Sequence, residues 1–271
     1  MTRGNIARLF TNLLVICVVI YFSLIALMYF TQRKMMYFPI GINAAPADVV
    51  EFHATKLAGR DYAPTGWFIM PESKDDTIII HFHGNGGNLA SRYWEFKSLA
   101  DHGYGLLFAE YTGYNGNAGK PTKTDLLLDA DGYYQALIAQ GYNVDNIAVI
   151  GESIGSGPAS YIAGKYNISA LILQVPYDSL LAVVKDKYPF IIGIEYLLKD
   201  NFDNIASLQN YQGRSLIMLA EHDEVVPFAR GLNLYEALEE PKMLHVFKGA
   251  RHVDFYDSNH LDIILDFLND R

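Results

Sequence analysis

After residue 47 the chain alternates short apolar runs with longer segments of helical periodicity. The apolar runs read VVEFHAT, GWFIM, TIIIHF, GLLFAE, IAVIG, ALILQV, SLIMLA and MLHVF. Segments between them, such as NLASRYWEFKSLADHG and KTDLLLDADGYYQALIAQG, carry apolar residues at helical spacing. Continuous apolar strands separated by amphipathic helices are typical of a parallel sheet covered on both faces. The pattern therefore predicts a mostly parallel, doubly wound α/β domain that opens with a pair of strands.

The N-terminal pattern is different, because no charged residue occurs between Arg8 and Arg33. The run LLVICVVIYFSLIALMYF, residues 13–30, is long enough to cross about 30 Å of hydrocarbon as a helix. A cleaved signal peptide would have a shorter apolar region and a small-residue cleavage site, which ALMYFTQRK lacks. We predict a single-pass anchor in residues 1–34, spanning about 9–30, and one domain in residues 35–271. Basic residues flank both ends of the run, so the membrane side of the domain stays open.

Composition and charge narrow the classes of partner. The 271 residues have a formal net charge of −9, and the part after Lys34 holds all 30 acidic residues against 17 of the 21 basic ones. A body this acidic lacks the basic surface that nucleic acid requires, so we expect no nucleic-acid partner. The single cysteine, Cys17, lies in the apolar run, which excludes disulfides within the chain and cysteine catalysis.

The stretch GESIG follows a predicted buried strand and precedes a predicted helix. This G-x-S-x-G spacing holds a serine on a strained strand-to-helix turn, because side chains at Gly151 or Gly155 would collide with neighbouring elements. Ser153 is therefore a candidate nucleophile, with the amides of a helix N-terminus beside its oxygen.

A serine nucleophile needs a base and an acid that orients the base, in the chain order Ser, Asp or Glu, His. The tail LAEHDEVVP offers Asp223, which we favour over Glu221 and Glu224 because it is the third residue past the strand and should point into the cleft. The segment KGARH offers His252 as the base. His245 lies inside a predicted apolar strand and His102 near a predicted helix end, so we expect structural roles for both. No H-E-x-x-H spacing occurs, which weakens a zinc interpretation and leaves us expecting no metal.

A glycine-rich turn, HGNGGN, follows the strand TIIIHF. Its backbone amides can point at an anionic group, and on its own such a turn could equally bind phosphate. Neither G-x-x-x-x-G-K nor G-x-G-x-x-G is present. His81 or His83 is a candidate support for this turn.

The four motifs HFHGNGGN, GESIGSGPA, AEHDEVVP and GARHVDF, in this order, resemble the α/β-hydrolase superfamily over nearly all of the chain after residue 48. With the N-terminal apolar run and TQRKMMYFP, the chain is similar to a single-pass branch that includes bacterial anchored hydrolases and animal protein depalmitoylases. The resemblance implies an α/β-hydrolase fold preceded by one transmembrane helix.

The resemblance also implies roles by position: Ser153 as nucleophile, His252 as general base and acid, and Asp223 as the residue that orients the imidazole. The backbone N–H groups of Asn85 and Ile154 match the oxyanion hole. Supporting glycines are expected at Gly84, Gly86, Gly151 and Gly155.

The implied reaction is hydrolysis of a carboxylic ester or thioester through an acyl-serine, without metal or organic cofactor. The substrate would be a small molecule, a lipid or an acyl-protein. Two alternatives stay open: a serine peptidase or amidase that uses the same residues, and a binding protein that keeps the fold without catalysis.

Residues 177–212, which we call the cap segment, replace the large cap found in many members of the superfamily. Its apolar cluster 180–184 is either a helix packed over the mouth of the site or an ordinary core helix, and we favour the core helix. Cluster 188–198 is either core helix or a lid that lines the acyl site or touches the membrane. Tyr177 and Asp178 are expected to line the pocket.

Overall fold

A computed structural model describes residues 3–39, 41, 43–57, 59–86, 88–254 and 259–270. Gly87 of the predicted glycine-rich turn lies outside the described residues. The strands are β1 (Val50–His53), β2 (Thr65–Ile69), β3 (Ile78–Phe82), β4 (Gly105–Ala109), β5 (Ile147–Glu152), β6 (Ala170–Gln174), β7 (Arg214–Ala220) and β8 (Lys242–Phe247).

The helices begin with α1 (Arg3–Met36), which contains the apolar run. Those that follow are α2 (Leu89–Asp101), α3 (Lys123–Ala139), α4 (Ser156–Tyr166), α5 (Leu180–Lys187), α6 (Ile194–Leu197), α7 (Asn204–Leu208), α8 (Phe228–Ala237) and α9 (His260–Asn269). Short 3-10 turns cover Val144–Asn146 and Ser153–Gly155.

The eight strands form one sheet in the order β1-β2-β4-β3-β5-β6-β7-β8. The pairs β1·β2 and β2·β4 are antiparallel, and every other neighbouring pair is parallel. The predicted mostly parallel, doubly wound fold is thereby confirmed. Because the carboxyl ends of parallel strands share one edge, the loops after β3, β5, β7 and β8 meet there.

Both faces of the sheet are covered, which explains the continuous apolar runs. Along β3, Ile78 and Ile80 pack into one core with α3 and α4, whereas Ile79 packs into the opposite core with α2 and α9. Every residue of β3 and β5 is buried. Strands buried on both faces lack the alternation of polar and apolar residues. In the sequence, only their short length and the flanking turns distinguish them from buried helices.

Helix α1 has 34 residues and an 18-residue window of mean hydropathy 2.8. It is long and apolar enough to cross a membrane, a criterion that signal sequences and some core helices also meet. Its last turn is fixed to the domain, because the Arg33 guanidinium donates to both carboxylate oxygens of buried Asp200, at 2.7 and 3.1 Å. The helix therefore ends packed on the domain and not in a free linker.

Candidate active site

Ser153 occupies a strained turn between β5 and α4. Its φ of 50° lies in the left-handed region, which costs a residue with a side chain about 1–3 kcal/mol. Close packing holds the turn: a Cβ added at Gly151 would lie 2.4 Å from the Cβ of Ala159, and one at Gly155 would lie 2.2 Å from the Phe82 carbonyl oxygen. Glycine is thus required at both flanking positions, and the hydroxyl of Ser153 is presented at the carboxyl edge of the sheet.

His252 and Asp223 reach this turn from the two last strands. The Oγ of Ser153 lies 3.1 Å from Nε2 of His252, and Nδ1 of His252 lies 2.7 Å from Oδ2 of Asp223. Asp223 is the third residue after β7 and His252 the fifth after β8. The structure therefore brings together the three residues that the sequence selected, in one hydrogen-bonded line.

The second carboxylate oxygen of Asp223 is also occupied. Oδ1 accepts hydrogen bonds from the backbone N–H groups of Val225 and Val226, at 2.8 and 2.7 Å. These bonds fix the plane of the carboxylate, so that Oδ2 faces the imidazole of His252.

The two neighbouring glutamates have other partners. Glu221 accepts from the N–H of Gly249 and the ammonium of Lys248, and these bonds lower the pKa of its carboxyl. Glu224 accepts from the backbone N–H of His252 at 3.2 Å and pairs with the Arg251 guanidinium. Backbone hydrogen bonds, chiefly, lower the pKa of Glu224 too. Neither carboxylate bonds to the imidazole of His252.

The glycine-rich loop after β3 places Asn85 beside Ser153. Asn85, Ser153 and Ile154 line one cavity. The side-chain oxygen of Asn85 accepts from the backbone N–H of Phe38 at 2.8 Å and from the Tyr114 hydroxyl at 3.2 Å. The segment that follows α1 thereby helps to fix this loop.

The two supporting glycines of this loop differ. A Cβ at Gly84 would lie 2.7 Å from a carboxylate oxygen of Glu152, so a side chain there would have to displace that carboxylate. A Cβ at Gly86 would meet nothing within 4 Å, so packing does not require glycine at that position.

His83 is the histidine that supports the loop. Its Nδ1 lies 2.7 Å from the Gly84 carbonyl oxygen and its Nε2 2.7 Å from a carboxylate oxygen of Glu110, all of them buried. Two acceptors require a proton on each ring nitrogen, and Glu110 with the Gly84 carbonyl raises the pKa of His83 against the opposing effect of burial. Burial lowers the pKa of neighbouring His81 to about 3, so that histidine is neutral.

We expect His83→Gln to lower the free energy of unfolding by about 3–5 kcal/mol, because it leaves Glu110 buried without its cation. A raised pKa stabilises the fold fully below the unfolded value of about 6.5, and this contribution is lost as pH rises through the folded value. Thermal unfolding between pH 5.5 and 9 should therefore show a decline above pH 6.5 in the native protein that His83→Gln lacks. His81→Gln is the control and should keep the decline, and parallel curves for native and His83→Gln would contradict the charged pair.

Comparisons with known proteins place this geometry in a family. No protein-family model matches the chain. An uncharacterized protein of Mycobacterium tuberculosis is 31% identical over 236 residues, which cover 82% of this chain and 81% of that protein. Human alpha/beta hydrolase domain-containing protein 17B is 30% identical over 182 residues, 65% of this chain and 60% of that protein. The chain belongs to the α/β-hydrolase superfamily.

Solved structures agree on the fold of this α/β-hydrolase. An esterase of Pyrococcus furiosus superimposes with a TM-score of 0.68 at 18% identity, covering 86% of this chain and 97% of that one. The acylaminoacyl peptidase of Pyrococcus horikoshii gives 0.62 at 14% identity, covering 81% of this chain and 41% of that one. At these identities the likeness concerns the fold alone.

The hydrolase cavity next to Ser153 has a volume of about 310 Å³ and mostly apolar walls. One wall is the cap segment, including Leu180, Val183 and Val184 of α5. Cluster 180–184 belongs to both the core and the cavity wall: Val183 is part of the buried core, and Leu180, Val183 and Val184 also line the cavity. Tyr177 lines the cavity as expected, but Asp178 is not among the lining residues, and its carboxylate instead accepts from the Arg230 guanidinium at 3.1 Å.

The cavity has another wall, which the sequence did not predict. It consists of residues from the last three turns of α1: Ile25, Met28, Tyr29, Gln32, Met35 and Met36. Each of these residues has another of the set three or four positions away, which puts them on one side of the helix. Because the residues around this stripe are also apolar, the sequence shows no amphipathic pattern that would reveal it. Gln32 is the one residue of the stripe whose polar side chain could have indicated a contact with the domain. Its amide donates to the Leu197 carbonyl oxygen at 3.1 Å and accepts from the N–H of Lys199 at 2.8 Å.

Proposed function

We propose that this α/β-hydrolase is a membrane-anchored serine hydrolase that cleaves carboxylic esters or thioesters through an acyl-serine intermediate. The observation that carries the proposal is the hydrogen-bonded line from Ser153 through His252 to Asp223, on a serine turn with positive φ. A nucleophile, a base and an orienting acid in this geometry are what acyl transfer requires.

In the first half of the reaction the Oγ of Ser153 attacks the substrate carbonyl carbon while its proton passes to Nε2 of His252. Asp223 stabilises the imidazolium that forms, through the bond to Nδ1. The carbonyl oxygen becomes an oxyanion, for which the N–H groups of Ile154 and Asn85 are the proposed donors. The tetrahedral intermediate then expels the alcohol or thiol, which takes the proton from His252 and leaves the acyl-serine ester.

In the second half, water attacks the acyl-serine and gives its proton to His252. Collapse of this second intermediate releases the carboxylic acid and returns the proton to the Oγ of Ser153. No other co-reactant is needed, so the chain's own residues and water account for every bond that forms or breaks.

The contacts of α1 support an anchor that stays attached to the enzyme. Removal of the helix as a signal peptide would delete one wall of the cavity and the ion pair between Arg33 and Asp200. It would also remove the backbone N–H of Phe38 from Asn85 if cleavage fell after residue 38. Membrane anchoring and a complete site thus depend on the same helix.

The proposal is tested by labelling the full chain, purified in detergent, with a fluorophosphonate probe and locating the adduct by mass spectrometry. We expect one adduct on the peptide that contains Ser153, hydrolysis of p-nitrophenyl butyrate, and loss of both in His252→Ala. An adduct at another serine, or labelling without any ester hydrolysis, would overturn the proposed function.

A further inference from the structure

The cap segment carries large apolar side chains that the protein leaves uncovered. Phe190 is 52% exposed, Ile192 84% and Tyr196 88%. We call residues 190–196 the cap tip. Large apolar side chains exposed close together in the chain are typical of contact with a membrane or a partner, and the position of the cap tip relative to α1 decides between them.

The cap tip is fastened to α1 at a defined depth. The Tyr21 hydroxyl donates to the Phe190 carbonyl oxygen at 3.1 Å and accepts from the backbone N–H of Ile192 at 3.2 Å. Tyr21 lies near the middle of the apolar run 13–30, and it precedes Phe30 by nine residues, which is about 14 Å along a helix axis. If the apolar run crosses the bilayer, the cap tip lies beside it inside the hydrocarbon layer.

The face of α1 that points away from the domain, near Tyr21, is also apolar, as a position inside the hydrocarbon layer requires. Phe22, Leu24, Leu27 and Phe30 are all exposed, so placing this stretch in water would leave four large apolar side chains hydrated. Glu195, the acidic residue of the cap tip, is paired with Lys185 at 3.6 Å. The surface around the cap tip is therefore compatible with lipid and unfavourable in water.

The cavity lies between these two membrane-level elements. Ile25 and Met28 of α1 line it together with Ile191 and Ile194 of the cap tip, and Ser153 is part of the same lining. Its volume of about 310 Å³ is about twice the ~150 Å³ of an apolar cavity that binds benzene, which gives room for about twelve carbon atoms. A saturated hydrocarbon chain matches both this size and these walls.

We propose that the cavity is an acyl-chain site with α1 as one wall, and that the chain enters it from the bilayer between α1 and the cap tip. The proposal rests on the serine hydrolase function above and specifies its substrate class: an ester or thioester whose acyl chain is already dissolved in the membrane. The acyl chain then never has to cross water to reach Ser153. Helix α1 both anchors the enzyme in the membrane and limits the length of the acyl chain that the cavity accepts.

The first test compares two neighbouring residues of α1. Met28 faces the cavity and Leu27 faces outward, so Met28→Trp fills the site while Leu27→Trp adds the same side chain on the lipid side. Each full-length variant is reconstituted in phosphatidylcholine nanodiscs, and kcat/KM is measured for p-nitrophenyl esters from C4 to C16.

We expect Met28→Trp to lower the C12-to-C4 ratio of kcat/KM at least tenfold and Leu27→Trp to keep the native ratio. Equal ratios in native and Met28→Trp, or an equal fall in both variants, would overturn α1 as a wall of the acyl site. Fluorophosphonate labelling of Ser153 in the same nanodiscs separates this outcome from failure of the proposed function, which would remove labelling from the native protein.

The second test measures the depth of the cap tip. A Cys17→Ser background lacks cysteine, so Ile192→Cys can carry a nitroxide label whose accessibility to oxygen and to a nickel chelate is compared. We expect Ile192 to resemble Leu14→Cys on the lipid-exposed face of α1 and to differ from Glu72→Cys on an exposed loop. A label at Ile192 as accessible to the chelate as the one at Glu72 would overturn entry from the bilayer.

Discussion

Ser153→Ala is expected to lower kcat for p-nitrophenyl butyrate about 10⁶-fold, with binding of the ester largely retained. Loss of a serine nucleophile removes the covalent route entirely, and the activity that remains over water comes from the oxyanion donors and substrate positioning. Alanine also fits the turn, because it keeps the Cβ and removes only the hydroxyl that bonds to His252. The measurement is kcat under saturating ester in the detergent-purified full chain.

Ser156→Ala is the matched control, since Ser156 is a buried serine three residues further along the chain, at the start of α4. Its hydroxyl accepts a hydrogen bond from the side chain of Asn204 at 2.9 Å and does not contact His252. We expect most of the native turnover in this variant. If Ser153→Ala kept more than a hundredth of native kcat while Ser156→Ala lost it, the nucleophile would be assigned to the wrong serine.

Much of the fold was readable from the sequence, for a physical reason. Strands β3 to β8 agree with the predicted runs to within about a residue at each end. For β3 to β7 the reason is burial on both faces, which enforces continuous apolar stretches. The first strand was predicted too long, since VVEFHAT is a strand only over Val50–His53. It is an edge strand in which Phe52 alone is buried, so its ends lack the hydrophobic signal that marks the central strands.

The relation of Ser153, Asp223 and His252 was also predictable, because each follows a strand whose carboxyl end must reach the same edge of the sheet. The wall of the cavity that α1 forms was not. Which side of α1 contacts the cap segment depends on tertiary packing, and an all-apolar helix gives no periodic contrast from which to predict it. For Asp178 the sequence predicted a contact that the structure lacks. Its position after a strand suggested that it lines the pocket, but its carboxylate forms an ion pair with Arg230 instead.

Asp223→Asn is expected to lower kcat about 10⁴-fold while the fold and the ester KM change little. The reason lies in the two N–H groups of Val225 and Val226, which Oδ1 accepts. An asparagine keeps its carbonyl oxygen on these donors, which places its NH₂ group where Oδ2 faced Nδ1 of His252. Nδ1 must then accept a hydrogen bond, so the proton of the neutral imidazole moves to Nε2, where it points at Ser153 and blocks proton transfer.

The control for this variant is Glu221→Gln, which makes the same chemical change at a carboxylate bonded to Gly249 and Lys248 and not to the imidazole. Its kcat should stay within about threefold of native, whereas Glu224→Gln tests the carboxylate that accepts from the backbone N–H of His252. Near-native kcat in Asp223→Asn, together with a large loss in Glu224→Gln, would move the orienting acid to Glu224. The geometry argues against that result, because the Asp223 carboxylate reaches the His252 imidazole at 2.7 Å, whereas Glu224 contacts His252 only at its backbone N–H.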